Sequence, residues 1–404
     1  MSRKKLTNPY RPGAGHPPPY LAGREEEKKE FATHLDQVVV TDNPIVTGLR
    51  GVGKTVLLDE LKQLAFTADW FWVGTDMSET ASLTEDNMAT RLLADLAVVT
   101  SQWVINRGDA GGGWFHSVTP SSDTTLSYEL LVDLYRRSPG LVADKLKAVL
   151  EGVAAVLQKQ DRGLIFAYDE AQNLSDHAAD KQFPLSVMLD VFQSIQRKGF
   201  RMMLVLVGLP TLFPKLVEAR TSAERMFHVI TLDRLTDSAS RDAIIKPIQQ
   251  QTSPFPPTDK LVNSIIVASG GYPYFIQFIC REVYDIAVQK HDRGEPLTVS
   301  IPDITRKLDA DFFAGRWARV TDRQRDLLRV IAGLDNYGVD FSVHEVVARA
   351  AEQHLSGILI SAFKGSNVNQ MLAKLALAGF VYKTQHGRYS FAVPLLGQFI
   401  RRQQ

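Results

Sequence analysis

Eight residues, Gly48 to Thr55, read GLRGVGKT and fit the spacing G-x-x-x-x-G-K-[ST]. The spacing has a physical purpose. Glycines at 48, 51 and 53 permit backbone angles that turn successive N–H groups toward one point, and a helix opening at this position adds the partial positive charge of its N-terminus. Anionic phosphate is what such a nest binds, so Gly48, Gly51, Val52, Gly53, Lys54, Thr55 and Val56 form the expected binding set for a nucleoside triphosphate. Lys54 reaches the β and γ phosphates, and the Thr55 hydroxyl completes a magnesium shell. A second stretch, GLIFAYDEAQNL, ends an apolar run in two acids, Asp169 and Glu170. In an open parallel sheet, ligands sit beyond the carboxyl ends of the strands. There Asp169 can hold the magnesium, and Glu170 can polarise the attacking water and take part in catalysis beside Lys54.

These residues need elements to carry them. The run PIVTG precedes the glycine stretch, and Val56, Leu57, Leu58, Leu61 and Leu64 follow at helical spacing, which places the motif at a strand-to-helix turn. From there to about Leu235, apolar strand-length runs alternate with helical patterns: WFWVGTD and Leu83 to Val99, GLIFAYDE and Leu185 to Arg197, RMMLVLVG and Thr211 to Ala219, then HVITLDRL. The strands are apolar on successive residues, as strands buried on both faces are. The expected fold class is α/β, a three-layer P-loop core with a parallel sheet between helices. Residues 1–23, rich in Pro and Gly, read as an extended arm on the surface, 24–235 as the core, and about 101–138, polar and Gly-rich, as a flexible insertion with Trp114 and Phe115 at its centre. Beyond Leu235 the patterns become helical, with Thr236 or Asp237 and Thr258 as N-caps and Gly270 and Gly271 ending the second helix. This gives a helical lid at 236–300, a linker around RGEPLTVSIPD and a last domain at 310–404.

Composition narrows the class further. The 404 residues are 45% hydrophobic and 23% charged, ordinary for a soluble globular chain of two or three domains. A single cysteine, Cys280, excludes an internal disulfide framework and reads as a packed core residue. The basic N-terminus runs into Pro and Gly instead of an apolar stretch, and no run approaches the roughly 18 residues of a membrane span. The expected location is therefore a reducing, cytoplasmic compartment, with no membrane partner. The net charge of +1 conceals an asymmetry: residues 316–404 hold 12 Lys and Arg against 6 Asp and Glu, a net of +6, so the first 315 residues sum to −5. A basic tail fits an anion-binding surface, and solvated helical faces give the same count.

GLRGVGKT and LIFAYDEAQNL resemble the Walker A and Walker B motifs of AAA+ and STAND ATPases. YLAGREEEKKEF, Tyr20 to Phe31, resembles the GRE box of the branch containing archaeal replication initiators and small archaeal and bacterial STAND-like ATPases, and SGGYPYFIQFICREV is similar to the GGxP motif of that branch's lid. The resemblance runs from about Tyr20 to the end of the chain. It implies ATP as ligand, ADP as product and Mg2+ as cofactor. It also implies that the arm before Arg24 lies against the adenine and that Pro273 closes over the nucleotide. The γ-phosphate sensor would be Thr211, where the family has Asn. The arginine finger would be Arg225, with Arg220 second, acting in an ATP-dependent homo-oligomer. No lid arginine stands where a second sensor is expected, because Gly271, Tyr272 and Pro273 occupy that stretch. The implied behaviour is that of a slow switch.

The tail reads as helices DRQRDLLRVIAGL, SVHEVVARAAEQHL and VNQMLAKLALAGF, then strands VYKTQ and RYSFAV around the turn HG, which resembles a winged helix. In a DNA-binding member the third helix would present Asn367, Asn369, Gln370 and Lys374 to duplex DNA, with Lys383, His386 and Arg388 on the wing. Winged helices in STAND proteins also serve as protein-interaction modules, and a third helix with one lysine carries few charges for a groove reader. Two function classes follow: an ATPase whose tail contacts duplex DNA, and a signalling or defence switch whose tail binds a protein partner.

Overall fold

A computed structural model of the chain describes residues 7–13, 15–105, 124–251, 253–358, 361–385 and 387–403. Two compact units divide it: Glu25–Gly48 with Leu57–Leu232, and Met1–Arg24 with Leu49–Val56 and Asp233–Gln404. The first unit carries the sheet. Its elements are α1 (Glu25–Leu35), β1 (Asn43–Gly48), α2 (Lys54–Thr67, whose first turn belongs to the other unit), β2 (Trp70–Val73), α3 (Glu85–Thr100), β3 (Val104–Ile105), β4 (Thr124–Thr125), α4 (Tyr128–Arg137), α5 (Val142–Lys159), β5 (Gly163–Tyr168), α6 (Pro184–Arg197), β6 (Met202–Gly208), α7 (Leu212–Ala219), α8 (Ala223–Met226) and β7 (Phe227–Leu232).

Five strands pair in the order β2-β5-β6-β1-β7, all parallel. Every residue of β1, β5 and β6 is buried, so both faces of the central sheet are covered, as the unbroken apolar runs require. The outer strand β7 alternates buried and exposed positions, the mark of an edge. Asn43 begins β1 with no exposure, and its amide is fully used: it donates to Gln196 Oε1 (3.2 Å) and the Met226 carbonyl (3.1 Å) and accepts from Leu204 N (2.8 Å) and Gln196 Nε2 (2.7 Å). A buried amide so satisfied ties β1 to β6, α6 and the end of α8 at little desolvation cost.

The expected insertion at 101–138 is corrected in its second half. Residues 128–137 form α4, capped by Ser127, with Leu131 and Leu134 buried and packed against α3 and α5. Its first half, with Trp114 and Phe115, lies outside the described residues. The alternation of strand and helix omitted α5, although Leu146, Val149, Leu150, Val153 and Leu157 recur on one buried face.

The second unit is largely helical: α9 (Asp237–Gln250), α10 (Asp259–Ser269), α11 (Pro273–Arg293), α12 (Ile301–Leu308), α13 (Ala314–Trp317), α14 (Asp322–Ala332), β8 (Phe341–Ser342), α15 (Val343–Leu355), α16 (Gly365–Leu377), β9 (Val381–Gln385), β10 (Arg388–Phe391) and α17 (Leu396–Arg402). Thr236 and Thr258 cap α9 and α10 by accepting from Ala239 N and Leu261 N, and Gly270 ends α10 in the left-handed conformation. The arm is more than a surface strand. Tyr10 is 4% exposed in the core of α9 to α12, its hydroxyl donates to the Ile244 carbonyl, and Asn8 donates to the Arg281 carbonyl and to Asp285. The expected linker is partly helix, since Ile301, Pro302 and Asp303 open α12. In the tail, β8, β10 and β9 form a three-stranded antiparallel sheet beside α14, α15 and α16; the sequence reading omitted β8 and α17. Among the described residues no helix is long and apolar enough to cross a membrane.

Candidate functional site

The loop between β1 and α2 is built as its residue types require. Gly48 is the last residue of β1, paired with Leu232, so it serves as extended strand and not as a left-handed turn. Gly51 and Gly53 do adopt positive φ, +81° and +94°. Alternation of such glycines with ordinary residues points neighbouring N–H groups inward, and α2 begins at once with Lys54 and Thr55. Lys54 Nζ donates to the Leu49 carbonyl at 3.0 Å, so its charge lies back over the loop.

Three groups of the same unit brace the loop. Arg24, 4% exposed, donates from Nη2 to the Val52 carbonyl (2.9 Å) and the Asp233 carbonyl (2.8 Å). Each bond is charge-assisted, worth about 1.5–3 kcal/mol. These bonds give Arg24 a bracing role in the loop backbone. Pro273 opens α11 at its first position, with its missing N–H costing nothing there, and the next residue donates Tyr274 N to the Gly51 carbonyl at 3.1 Å. Pro273 thus sets the helix end that touches the loop. Gly271 permits this approach: the Leu235 N–H donates to its carbonyl at 2.8 Å, and a Cβ there would sit 2.7 Å from the Leu235 carbonyl oxygen.

In the sheet unit, β5 delivers Asp169, 3% exposed, and Glu170, exposed, beyond its carboxyl end. Because β1 and β5 are parallel, this is the edge at which β1 ends and the glycine loop departs. Glu170 holds a left-handed backbone, φ +51° and ψ +32°, unusual for a residue with a side chain and frequent at functional sites. Asp169 Oδ1 accepts from Glu170 N at 2.7 Å, and the Asp169 carbonyl accepts from Met77 N at 2.8 Å, which brings Asp76 alongside.

Gln172, absent from the sequence expectations, ties the acid to the neighbouring strand. Its Nε2 donates to Glu170 Oε2, and its Oε1 accepts from Leu209 N at 3.1 Å, just past β6. A Cβ on Gly208 would lie 2.7 Å from that Oε1, so glycine is what lets Gln172 reach across. Lys215 Nζ donates to the Gln172 carbonyl at 2.7 Å, and burial lowers its pKa. Thr211 is half-buried at the start of α7 and makes no capping bond.

The structure does not bring Arg225 to this edge. It is exposed on α8, immediately before Phe227, which pairs with Asn43 at the amino end of the sheet. A six-residue strand separates that end from the carboxyl edge, about 20 Å at roughly 3.3 Å per residue. Arg220 is occupied otherwise, sharing Asp190 (3.0 Å) with Lys147. In the tail, Asn367, Asn369, Gln370, Lys374 and Lys383 are exposed. Arg388 is paired with Asp340 at 2.6 Å, which lowers the pKa of that carboxyl, and it is therefore not the free wing cation expected. His386 lies outside the described residues.

Residues 310–400 match a family described as a domain of unknown function, DUF8462. No curated protein matches the chain by sequence. Among solved structures, the chain is similar to the Walker-type ATPase of Pyrococcus abyssi, at 14% identity and TM-score 0.56 over 94% of this chain and 96% of that one. It is also similar to the ORC2 protein of Aeropyrum pernix in ADPNP–ADP complexes, at 15% identity and TM-score 0.53 over 97% and 96%. The ADP form of that protein gives 13% and 0.54 over 97% of each chain. The parallel five-stranded sheet and these neighbours give the fold class: α/β, a parallel sheet between helices in the P-loop fold.

Proposed function

We propose that the chain is an ATP-binding and slowly ATP-hydrolysing switch of the AAA+ class, in the branch of archaeal initiators and STAND-like ATPases, whose winged-helix tail contacts duplex DNA. The observation that carries this reading is the loop with Gly51 and Gly53 at positive φ, leaving the carboxyl end of a central parallel strand and opening directly into Lys54 and Thr55. The neighbours of the same fold include a protein whose structure was solved in ADPNP–ADP complexes.

In this reading the loop N–H groups and Lys54 hold the phosphates, and Arg24 keeps the Val52 carbonyl turned away from them. Thr55 and Asp169 offer the oxygen ligands that Mg2+ takes, and the ion when bound neutralises charge on the phosphate oxygens. Glu170 orients a water toward the terminal phosphorus and accepts its proton as the bond to ADP breaks, with Gln172 fixing the carboxylate. Slow turnover is supported by Thr211 in the sensor position and by the lid lacking an arginine at Gly271 to Pro273; Arg281 is exposed and pairs with Asp285 at 3.9 Å. Arg225, placed at the opposite edge of the sheet, fits a finger supplied in trans by a second copy. The proposed domains follow: the arm 1–23, the core 24–235, the lid 236–300 and the winged helix 310–404.

The test is Glu170→Gln. It keeps shape and the Asp169 ligand, so ATP should bind while phosphate release falls by roughly 10²-fold or more. Loss of binding together with turnover sinks the division of roles. A second reading, the signalling or defence switch with a protein partner, is favoured by one feature. Five tail arginines are in ion pairs at 325, 329, 349, 388 and 402, while Leu355, Ile358 and Leu377 are exposed at 88%, 74% and 91%. A mobility assay of the full chain with ATP, ADP and neither separates the two. DNA binding that weakens steeply with salt supports the first; no binding in any state at low salt supports the second.

A further inference from the structure

Arg316 stands outside every motif described above. It lies on α13, near the head of the segment 310–400. Its guanidinium rests over the Phe312 ring, 4.5 Å from the centroid, and Phe312 packs on Tyr274 at 5.3 Å. Tyr274 in turn donates its N–H to Gly51, and its Cβ lies 3.1 Å from where a Cβ on Gly51 would be. A continuous path of contacts thus joins Arg316 to the glycine loop, all within one compact unit.

Two features of Arg316 call for an anion. Its Nη1 is buried and has no hydrogen-bond partner among the described residues. A donor in that state is costly, more so on a charged group. Its neighbours do not help: burial first, then the charge of Arg50 from the loop itself, and further that of Arg319, lower its pKa, and Tyr274 opposes them. Asp311 acts on Tyr274, and among the described residues no ion pair joins it to Arg316. Like charges gathered beside an unmet donor are an arrangement that bound phosphate oxygen would relieve.

We propose that Arg316 binds the terminal phosphate of the nucleoside triphosphate held by loop 49–56, so that the segment carrying the tail gains a contact to the site with triphosphate that it lacks with diphosphate. This rests on the nucleotide reading of the loop and deepens it by assigning the site's triphosphate selectivity to a residue beyond the lid. ADP has no third phosphate to fill the place, so Arg316 contributes to one nucleotide state alone.

The experiment titrates the full chain with magnesium and a non-hydrolysable ATP analogue, and separately with ADP, for wild type, Arg316→Met and Arg316→Lys. Met keeps an apolar side chain of similar length beside Phe312 and removes the guanidinium charge. The analogue should bind Arg316→Met at least tenfold more weakly, ADP should change less than twofold, and Arg316→Lys should fall between. Without nucleotide, the melting temperature of Arg316→Met should hold or rise, because a like charge and an unmet donor have gone. The ratio of the two affinities is read on one variant, so a general loss of stability does not imitate the effect. Equal losses for both nucleotides, or an unchanged analogue affinity, overturn the proposal while leaving the loop as a nucleotide site. Wild type that binds neither nucleotide overturns both.

Discussion

Alanine at Gly53 and at Gly51 separates the conformational demand of the phosphate loop from its packing. Gly53 has φ +94°, and a Cβ added there meets nothing within 4 Å, so Gly53→Ala should cost only the left-handed backbone, about 1–2 kcal/mol. Gly51 has φ +81°, and its added Cβ would stand 3.1 Å from the Tyr274 Cβ. That spacing is tight against a side chain whose own N–H is bonded to the Gly51 carbonyl. Gly51→Ala should therefore carry the backbone cost plus an overpacking cost of about 1–3 kcal/mol. If the unliganded loop relaxes to avoid the strain, the whole cost appears in nucleotide affinity. Gly53→Ala then binds roughly 5–30-fold more weakly, and Gly51→Ala more weakly again. If the loop is held rigid, the cost appears as a lower melting temperature instead. Fluorescent-nucleotide titration and thermal melting of the same samples distinguish the two. Wild-type affinity and wild-type melting in both variants would refute the view that these two backbone conformations make the nest.

Gln172→Ala removes the bond to Glu170 and leaves Leu209 N unpaired; phosphate release should fall about tenfold, one charge-assisted bond on an exposed group, with ATP affinity within twofold. A turnover rate equal to wild type would mean that Gln172 does not position the acid. Tyr168, buried at the end of β5, donates to Asp95 at 2.8 Å, and Arg91 grips the same carboxylate. Tyr168→Phe leaves that buried acid one donor short and should reduce stability by about 1–3 kcal/mol in urea denaturation, with the slope unchanged; an unmoved midpoint would count against the network. Cys280 is 2% exposed and burial raises its thiol pKa, so thiolate is scarce. A thiol reagent at pH 8 should label it slowly in the native chain and rapidly in urea, and fast native labelling would contradict its burial.

The sheet was legible because its strands are apolar on successive residues and each helix after them repeats at three and four. The glycine loop and the acidic pair were legible because chemistry fixes their spacing. Other features depend on contacts distant in sequence. Gln172 is only two residues from Glu170, yet nothing local marks it as the partner, since its carboxamide is set by Leu209 N just past β6, where Gly208 leaves Oε1 room. The bonds by which Arg24 Nη2 braces Val52 and Asp233 reach 28 and 209 residues along the chain, so its position alone does not announce them. Arg388 counted as a basic wing residue until folding set Asp340 beside it, so a net charge of +6 overstates the free cations of the tail. The helix α4 was hidden by the polar run before it, although its own leucines carry a helical period. Tyr10 shows the opposite error: flanking prolines read as surface, while one aromatic ring anchors the arm in the helical core.

The central claim is that loop 49–56 is a nucleotide site, and titration of the full chain with a fluorescent ATP analogue, wild type against Lys54→Ala, tests it most directly. Removing the one cation that begins α2 should weaken binding at least tenfold, about 1.4 kcal/mol or more, with the melting temperature in the absence of nucleotide nearly unchanged. A dissociation constant unaltered by Lys54→Ala, or a wild-type chain that binds no ATP, would contradict it.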